Sequence, residues 1–330
     1  PATTTSKSRW RIHPLTTPMS VTNSYFDDLK DLSVDDILES SELIEGAINE
    51  LLEGTQAYNL IFDPFNVDQL TKGYNLDSAP GLDEEVQTVA EFAEIPVGDP
   101  ARGERRFVDL LPSGIGVRVS YEQRKFGTGS VVQREVLGRA AEIRRKNGRD
   151  ALAAINAVSD QIEELPVAQK WNLPDAAAMD DLYAADDLLA GAVDQEGRRF
   201  GYSGKYVWGN RRTLNALKRN KQVTDLYVGD MAHADPRFTP LGQQPLIGEQ
   251  FNLVVDEGMA DGDAYIISET LNGGIGTRFQ TGDPIFSDWY EEGGQSGIGG
   301  PRMTWRSDYV HFRALAVRAP KAIVKITGAI

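Results

Sequence analysis

The stretch Gly129–Glu164, GSVVQREVLGRAAEIRRKNGRDALAAINAVSDQIEE, decides how the rest of the chain is read. Val132, Val136, Ala140, Ile143, Ala151, Leu152, Ile155, Val158 and Ile162 recur at helical spacing. Arg134, Arg139, Arg144, Arg145, Lys146 and Arg149 fill much of the remainder. Ser130 with Gln133 predicts a capping box at the start, and Pro166 stops the pattern. The spacing predicts one helix of about 36 residues, roughly 54 Å long. Average globular helices run to about 11–12 residues, so this one is a structural beam. Gly138 and Gly148 fall inside it, each costing about 1 kcal/mol relative to Ala. Asn147-Gly148 reads either as a break between two helices or as a tolerated interruption, because the apolar stripe resumes at once.

The flanks show what such a beam carries. Residues 1–24 are rich in Ser, Thr and Pro without periodicity, which predicts an extended arm. Ser33 then reads as an N-cap with Asp35 and Asp36 in the first turn, opening an acidic amphipathic helix that runs to about Glu53, with Gly54 as its stop. Residues 55–83 read as irregular. Val86 to Val97 predicts a strand, the cluster Gly98 to Gly103 a turn, and Phe107 through Ile115, Val117 and Val119 the return. Such a two-stranded ribbon is marginal alone and needs support. Beyond the beam, Pro174–Val193 predicts an acidic helix with Pro in its first turn. Strands are expected at Tyr206–Trp208, Leu226–Val228, Phe251–Val255 and Ala264–Ser268, with Asn210 capping a short helix between the first two. A glycine-rich loop (Gly293, Gly294, Gly297, Gly299, Gly300) precedes two closing strands, Tyr309–Val317 and Ala322–Ile326. The fold class is therefore α+β.

Composition sets bounds on function. The chain has 330 residues, 41% hydrophobic and 25% charged, the balance of an ordinary globular protein. No apolar run reaches the about 18 residues a membrane span requires, and residues 1–24 hold no apolar core of a secretory signal. The absence of cysteine removes disulfides, thiol catalysis and cysteine-ligated metal. Net charge is −15, spread unevenly: residues 1–24 carry Lys7, Arg9 and Arg11 with no acid, while 27–53 carry ten acids against Lys30. The acidic run reads as a solvated helix face. A chain this acidic does not coat a nucleic-acid backbone, so any contact with DNA is local and non-specific.

A search for chemistry nominates nothing. The histidines are His13, His233 and His311, and no two have the spacing of a helix-borne metal site. Asp256, Glu257, Asp261 and Asp263 read as a weak calcium loop or a solvated turn, and their spacing departs from an EF-hand. Gly201–Tyr206 lacks the spacing and the Ser/Thr of a phosphate loop, and the segment from Gly114 has Val119 where a dinucleotide fingerprint needs Gly. No G-x-S-x-G elbow occurs. The 49 acids guarantee accidental carboxylate pairs, but none stands out as a hydrolase pair. Catalytic, cofactor-binding and metal-ligating residues are all expected to be absent.

Arm, irregular stretch and ribbon make up over a third of the chain, yet their apolar residues are too dispersed for a core of their own. Ordering them needs cover from neighbouring subunits. The closing segment FRALAVRAPKAIVKI (Phe312–Ile326) and the strand-to-helix step YVWGNRRTLNAL (Tyr206–Leu217), with the order arm, hairpin, long helix, mixed domain and returning strands, resemble the major capsid proteins of tailed bacteriophages, the Hong Kong 97-type fold. The resemblance implies a virion shell subunit that forms hexamers and pentamers around packaged double-stranded DNA, assembles in the host cytoplasm, and works with portal, scaffolding and decoration proteins. It places an N-arm near 1–83, an extended loop near 84–127, a spine helix near 128–165, an axial domain near 166–300 and the peripheral returning strands near 301–330. Some members of that family cross-link through a lysine in the extended loop. No lysine lies between Lys72 and Lys125, so Arg102, Arg105 and Arg106 are expected to make non-covalent contacts between subunits instead. Gly138 and Gly148 are expected to hinge the spine. The alternatives are an encapsulin-like compartment shell and, from another class, a secreted carbohydrate-active enzyme.

Overall fold

A computed structural model describes residues 33–39, 41–52, 57–80, 82, 88, 89, 95, 97–99, 103–225, 246, 247, 250–269 and 275–330. The arm over 1–24, most of the strand expected at 86–97, the strand at 226–228, Arg102, His13 and His233 lie outside these residues.

Ser33 caps α1 (Val34–Glu39) as its sequence predicts: its Oγ accepts from the Asp36 N–H at 3.1 Å while its own N–H donates to Asp36 Oδ2 at 3.3 Å. Helix α2 (Ser41–Leu52) follows. The stretch read as irregular is in fact ordered: it contains α3 (Ala57–Ile61), β1 (Phe62–Asn66) and β2 (Thr71–Asn75). Strand β2 pairs antiparallel with β3 (Arg105–Asp109), from Thr71 opposite Asp109 to Asn75 opposite Arg105. The expected single return strand is thus divided. Leu110 is buried at the corner, and β4 (Leu111–Ser120) leaves the ribbon for a wider sheet. The alternation of Val117 and Val119 explains this, because burying that face takes more than one neighbouring strand.

Ser120 and Gln123 make the capping box here, opening α4 (Tyr121–Phe126). The beam itself, α5 (Gly129–Asn156), has 28 residues and starts after Thr128, without a Ser130 cap. At 1.5 Å per residue it is about 42 Å long rather than 54 Å. It runs unbroken through Asn147-Gly148, both of them buried. The predicted C-terminal extension fails because Val158 and Ile162 bury at a turn, after which Glu163–Pro166 is strand β5. Helical spacing persisted there by coincidence with a turn of similar pitch.

The remaining elements are α6 (Ala178–Gly191), β6 (Gly204–Gly209), α7 (Arg211–Arg219), α8 (Lys221–Asp225), β7 (Leu246–Ile247), β8 (Phe251–Val255), β9 (Ala264–Ser268), β10 (Gly276–Gln280), β11 (Ile285–Phe286), β12 (Tyr290–Glu291), β13 (Thr304–Val317) and β14 (Ile323–Thr327). Pro174 lies ahead of α6 rather than in its first turn, whereas Asn210 caps α7 by accepting from the Arg212 N–H at 2.9 Å.

Two six-stranded sheets result. In the first, β13 is central: β4 flanks it antiparallel over Thr304–Arg313, and β10, β11 and β12 share its other edge, with β1 parallel beyond β10. The second has the order β5-β14-β9-β6-β8-β7. The sheets do not follow a division at residue 300, since β10–β12 join the first and β14 the second. Helix α5 spans both. Its first half packs with α1 and α2 on the first sheet through Val132, Val136, Ile37 and Ile48. Its second half, through Ala151 and Ile155, meets Trp208, Tyr265 and Ile323 of the second. The other face of that second sheet is covered by α6, α7 and α8, with Leu182, Leu189, Leu214 and Leu217 inside.

Candidate functional site

The geometry that stands out among the described residues lies in how the beam is held and in what the surface leaves uncovered. The hold is a buried arginine. Arg313 of β13 donates from Nη1 to the Tyr58 hydroxyl at 3.0 Å and to Asn147 Oδ1 at 2.5 Å, and from Nη2 to Asp150 Oδ2 at 3.0 Å. Tyr58 is flanked by two cations, with Arg278 and Arg313 at 5.0 and 5.1 Å from its ring centroid. One cluster therefore clasps α3, the middle of α5, β10 and β13. Attraction to the ring face and charge-assisted hydrogen bonds act together in a desolvated place.

Gly148 lies beside this clasp. A Cβ there would come within 2.8 Å of Asp256 Oδ2, so the glycine lets the turn after β8 approach the helix closely. At Gly138 a Cβ would meet nothing within 4 Å. Arg139, the next residue after the exposed Gly138, is buried and donates to the Ser307 carbonyl at 2.7 Å. Burial pushes its guanidinium down to about 10, with Asp308 opposing. His311, also buried in β13, is pushed down to about 4 by burial and by the neighbouring Arg313 and Arg278. It is a neutral packing residue at pH 7.

The β2–β3 ribbon carries two of the predicted arginines, Arg105 and Arg106. Arg106 pairs with Glu104 at 3.5 Å, and Arg105 lies over the Phe107 ring at 5.2 Å. Around them Phe107 and Leu111 are 66% and 68% exposed, and Phe65 and Leu70 are exposed too.

At the far end of the first sheet, the glycine-rich loop is preformed. The Glu291 carboxylate accepts from the N–H groups of Ser296 and Gly297, and these bonds hold its pKa below the usual carboxylate range. Glu292 binds Arg118 at 2.6 Å and Arg302 at 3.2 Å. Gly299 has φ 92°, and a Cβ on it would lie 2.5 Å from the Thr304 nitrogen, so only glycine fits. The acids at 256–263 do not converge: Asp261 pairs with Arg212 at 2.7 Å and Asp263 with Lys325 at 3.6 Å. Among the described residues no group of three or more His, Asp or Glu is placed to hold a metal ion.

Sequence reasoning missed the clasp and strand β2. Tyr58, Asn147, Asp150 and Arg313 are far apart in sequence, and a lone Arg in an apolar strand was the sole signal. In β2, Thr71 and Tyr74 are good strand formers, but Gly73 and the short length hid them.

No protein-family model matches the sequence, and no curated protein matches it. Solved structures do match in fold. A phage-related protein of Bordetella bronchiseptica RB50 aligns with TM-score 0.53 at 13% identity, over 86% of this chain and 96% of that one. The capsid structure of cyanophage P-SCSP1u gives 0.54 at 9% identity, over 83% and 88%. A virus-like particle from Pyrococcus furiosus gives 0.51 at 12%, over 92% and 99%. With its long helix crossing two sheets, the chain has the α+β Hong Kong 97-type fold of tailed-phage major capsid proteins.

Proposed function

We propose that this chain is a shell-forming major capsid protein, a structural subunit rather than an enzyme. Copies of it would close into an icosahedral shell of hexamers and pentamers around double-stranded DNA. The observation that carries the reading is an exposed apolar group at the ribbon and the strands beside it, Phe107 of β3 with Phe65 of β1, Leu70 before β2 and Leu111 at the start of β4, on a fold shared with capsid subunits. Such faces gain their burial by lapping onto a neighbour, and permanent interfaces of this sort exceed about 2,000 Å². Heterologous contacts close into rings when the rotation between copies permits. In this reading the first sheet with α5 is the peripheral part, the second sheet the axial part, and the ribbon the extended loop. Arg105 and Arg106, with Arg102, make charge contacts to the next subunit, and Gly138 and Gly148 let the spine bend as the shell expands. Portal, scaffolding and decoration proteins are its expected partners, the virion shell its destination and the host cytoplasm the place of assembly.

Negative-stain microscopy of the purified protein tests the shell. Capsomer rings or uniform icosahedral particles are expected, and a monomer at every concentration would retire the reading. Nuclease-protected DNA inside particles from expressing cells separates a genome container from an encapsulin-like compartment, which would hold protein cargo.

A further inference from the structure

Residues 197–224 hold eight basic side chains and no acid, in a chain whose net charge is −15. The fold gathers part of this run around a cavity of about 910 Å³ beside α7 and α8. Arg211, Arg212, Arg219 and Lys221 line it, against one acid, Glu257. Asp261 engages Arg212 at 2.7 Å. Arg211, Arg219 and Lys221 are exposed and have no hydrogen-bond or ion-pair partner among the described residues.

The walls are braced from behind. Asn220, buried between the two helices, donates from Nδ2 to the carbonyls of Trp171 at 3.2 Å and Ala176 at 2.9 Å, and its Oδ1 accepts from the Gln222 N–H at 3.0 Å. Trp171, also buried, donates from Nε1 to Asp181 Oδ2 at 2.9 Å. The segment bearing Leu173 and Pro174, the apolar wall of the cavity, is thus fixed to α6 and α8. A site held in this way loses little freedom when it binds. Its volume lies within the about 300–1,000 Å³ of small-ligand pockets.

Arg211, Asn215 and Arg219 recur every fourth residue on one face of α7, over roughly 12 Å of helix rise. A chain of phosphates can meet both ends of that row, and guanidinium groups hold phosphate oxygens in pairs. Acids border the cations: Glu257 lines the same cavity, and Asp180 of α6 lies beyond Gln222, from which it accepts at 3.2 Å. A duplex laid across the cavity would meet these acids and the wider negative surface. A compact anion stays within about 8–10 Å of the three free cations, the screening distance near physiological salt. We propose that the α7–α8 cavity is a binding site for a compact polyphosphate, free or carried by a nucleotide. Arg211, Arg219 and Lys221 hold its phosphates, and Leu173 and Pro174 lie beneath the rest of the ligand. The site goes beyond the shell reading and does not depend on it.

Calorimetric titration of the purified protein with inorganic tripolyphosphate, in magnesium-free buffer, tests this. Wild type is expected to bind one equivalent per chain and to melt at a higher temperature with the probe present. R219Q/K221Q is expected to bind at least about tenfold more weakly, having lost two charge-assisted contacts. R134Q/R149Q removes the same charge from exposed positions on α5 and is expected to bind as wild type does. Arg219 and Lys221 are exposed, so the melting temperature without probe should not change. Should it fall, Lys221→Gln alone replaces the double variant and is expected to lose at least about threefold. ATP, titrated separately, distinguishes the sources: affinity no tighter than that of tripolyphosphate makes the phosphate chain the ligand, and tighter affinity makes it a nucleotide. Either result upholds the site. Absence of wild-type binding at millimolar probe, or equal weakening in both double variants, overturns it. Tighter binding of a 30-base-pair duplex that R219Q/K221Q abolishes also overturns it, and assigns the cations to nucleic acid. Failure of wild type to assemble retires the shell reading and leaves this site standing.

Discussion

Single atoms decide what the two glycines of the beam do. At Gly138 an added methyl meets open space, so Gly138→Ala should stabilise the subunit by about 0.5–1 kcal/mol through helix propensity alone. At Gly148 the same methyl presses on the Asp256 carboxylate, so Gly148→Ala should gain nothing or lose stability. Urea denaturation of the unassembled subunit distinguishes them, and equal gains would deny the close packing. If the glycines serve as hinges, the double variant should also slow particle expansion. His311 makes a pH prediction. Its folded pKa, about 4, lies below the ordinary 6.5, so the unfolded chain takes up a proton first as pH falls. Stability is full above about pH 6.5 and declines by up to about 1.4 kcal/mol per pH unit until the folded-state value is reached. His311→Gln should flatten that part of the pH profile relative to wild type in the same denaturation assay.

Among elements, the clasp at the middle of α5 is the joint that fixes beam to sheet. Arg313→Met should cost about 2–3 kcal/mol, below the usual cost of breaking a buried pair because Asp150 is a quarter exposed. Tyr58→Phe keeps the ring between its two cations and should cost about 1 kcal/mol. Equal losses would mean that ring stacking contributes little. This joint also shows what sequence could reveal. Helix α5, the caps at Ser33 and Asn210, β8, β9 and the closing strands were legible because each is written in local periodicity or a short polar signal. The clasp was not, because a buried Arg looks in sequence like any strand arginine until Asn147 and Asp150 arrive beside it. Strand β2 was missed for a related cause: five residues around a glycine carry too little pattern, and β3 alone determines their register. Of the assembly surface, the arginines of the ribbon could be named from sequence. The exposure of Phe107 could not, since an apolar strand residue reads as core until its sheet is seen to have only two strands.

For the whole molecule, the prediction concerns chemistry between copies. No lysine lies from residue 73 to 124, and the ribbon's Lys72 lies over the Phe65 ring at 5.9 Å, so mature particles should release monomer-sized bands on denaturing gels. Covalent ladders would contradict a shell held by packing and charge alone. One more consequence follows from the placement of β13 and β14. The first is the spine of one sheet and the second lies between β5 and β9 in the other, yet both come after residue 303. A nascent chain at 5–20 residues per second closes neither sheet before residues 304–327 have been made. Until then β4 lacks β13, while β9 holds only β6 and β10 only β1. Closure of both sheets is thus held back to the same late stretch of synthesis.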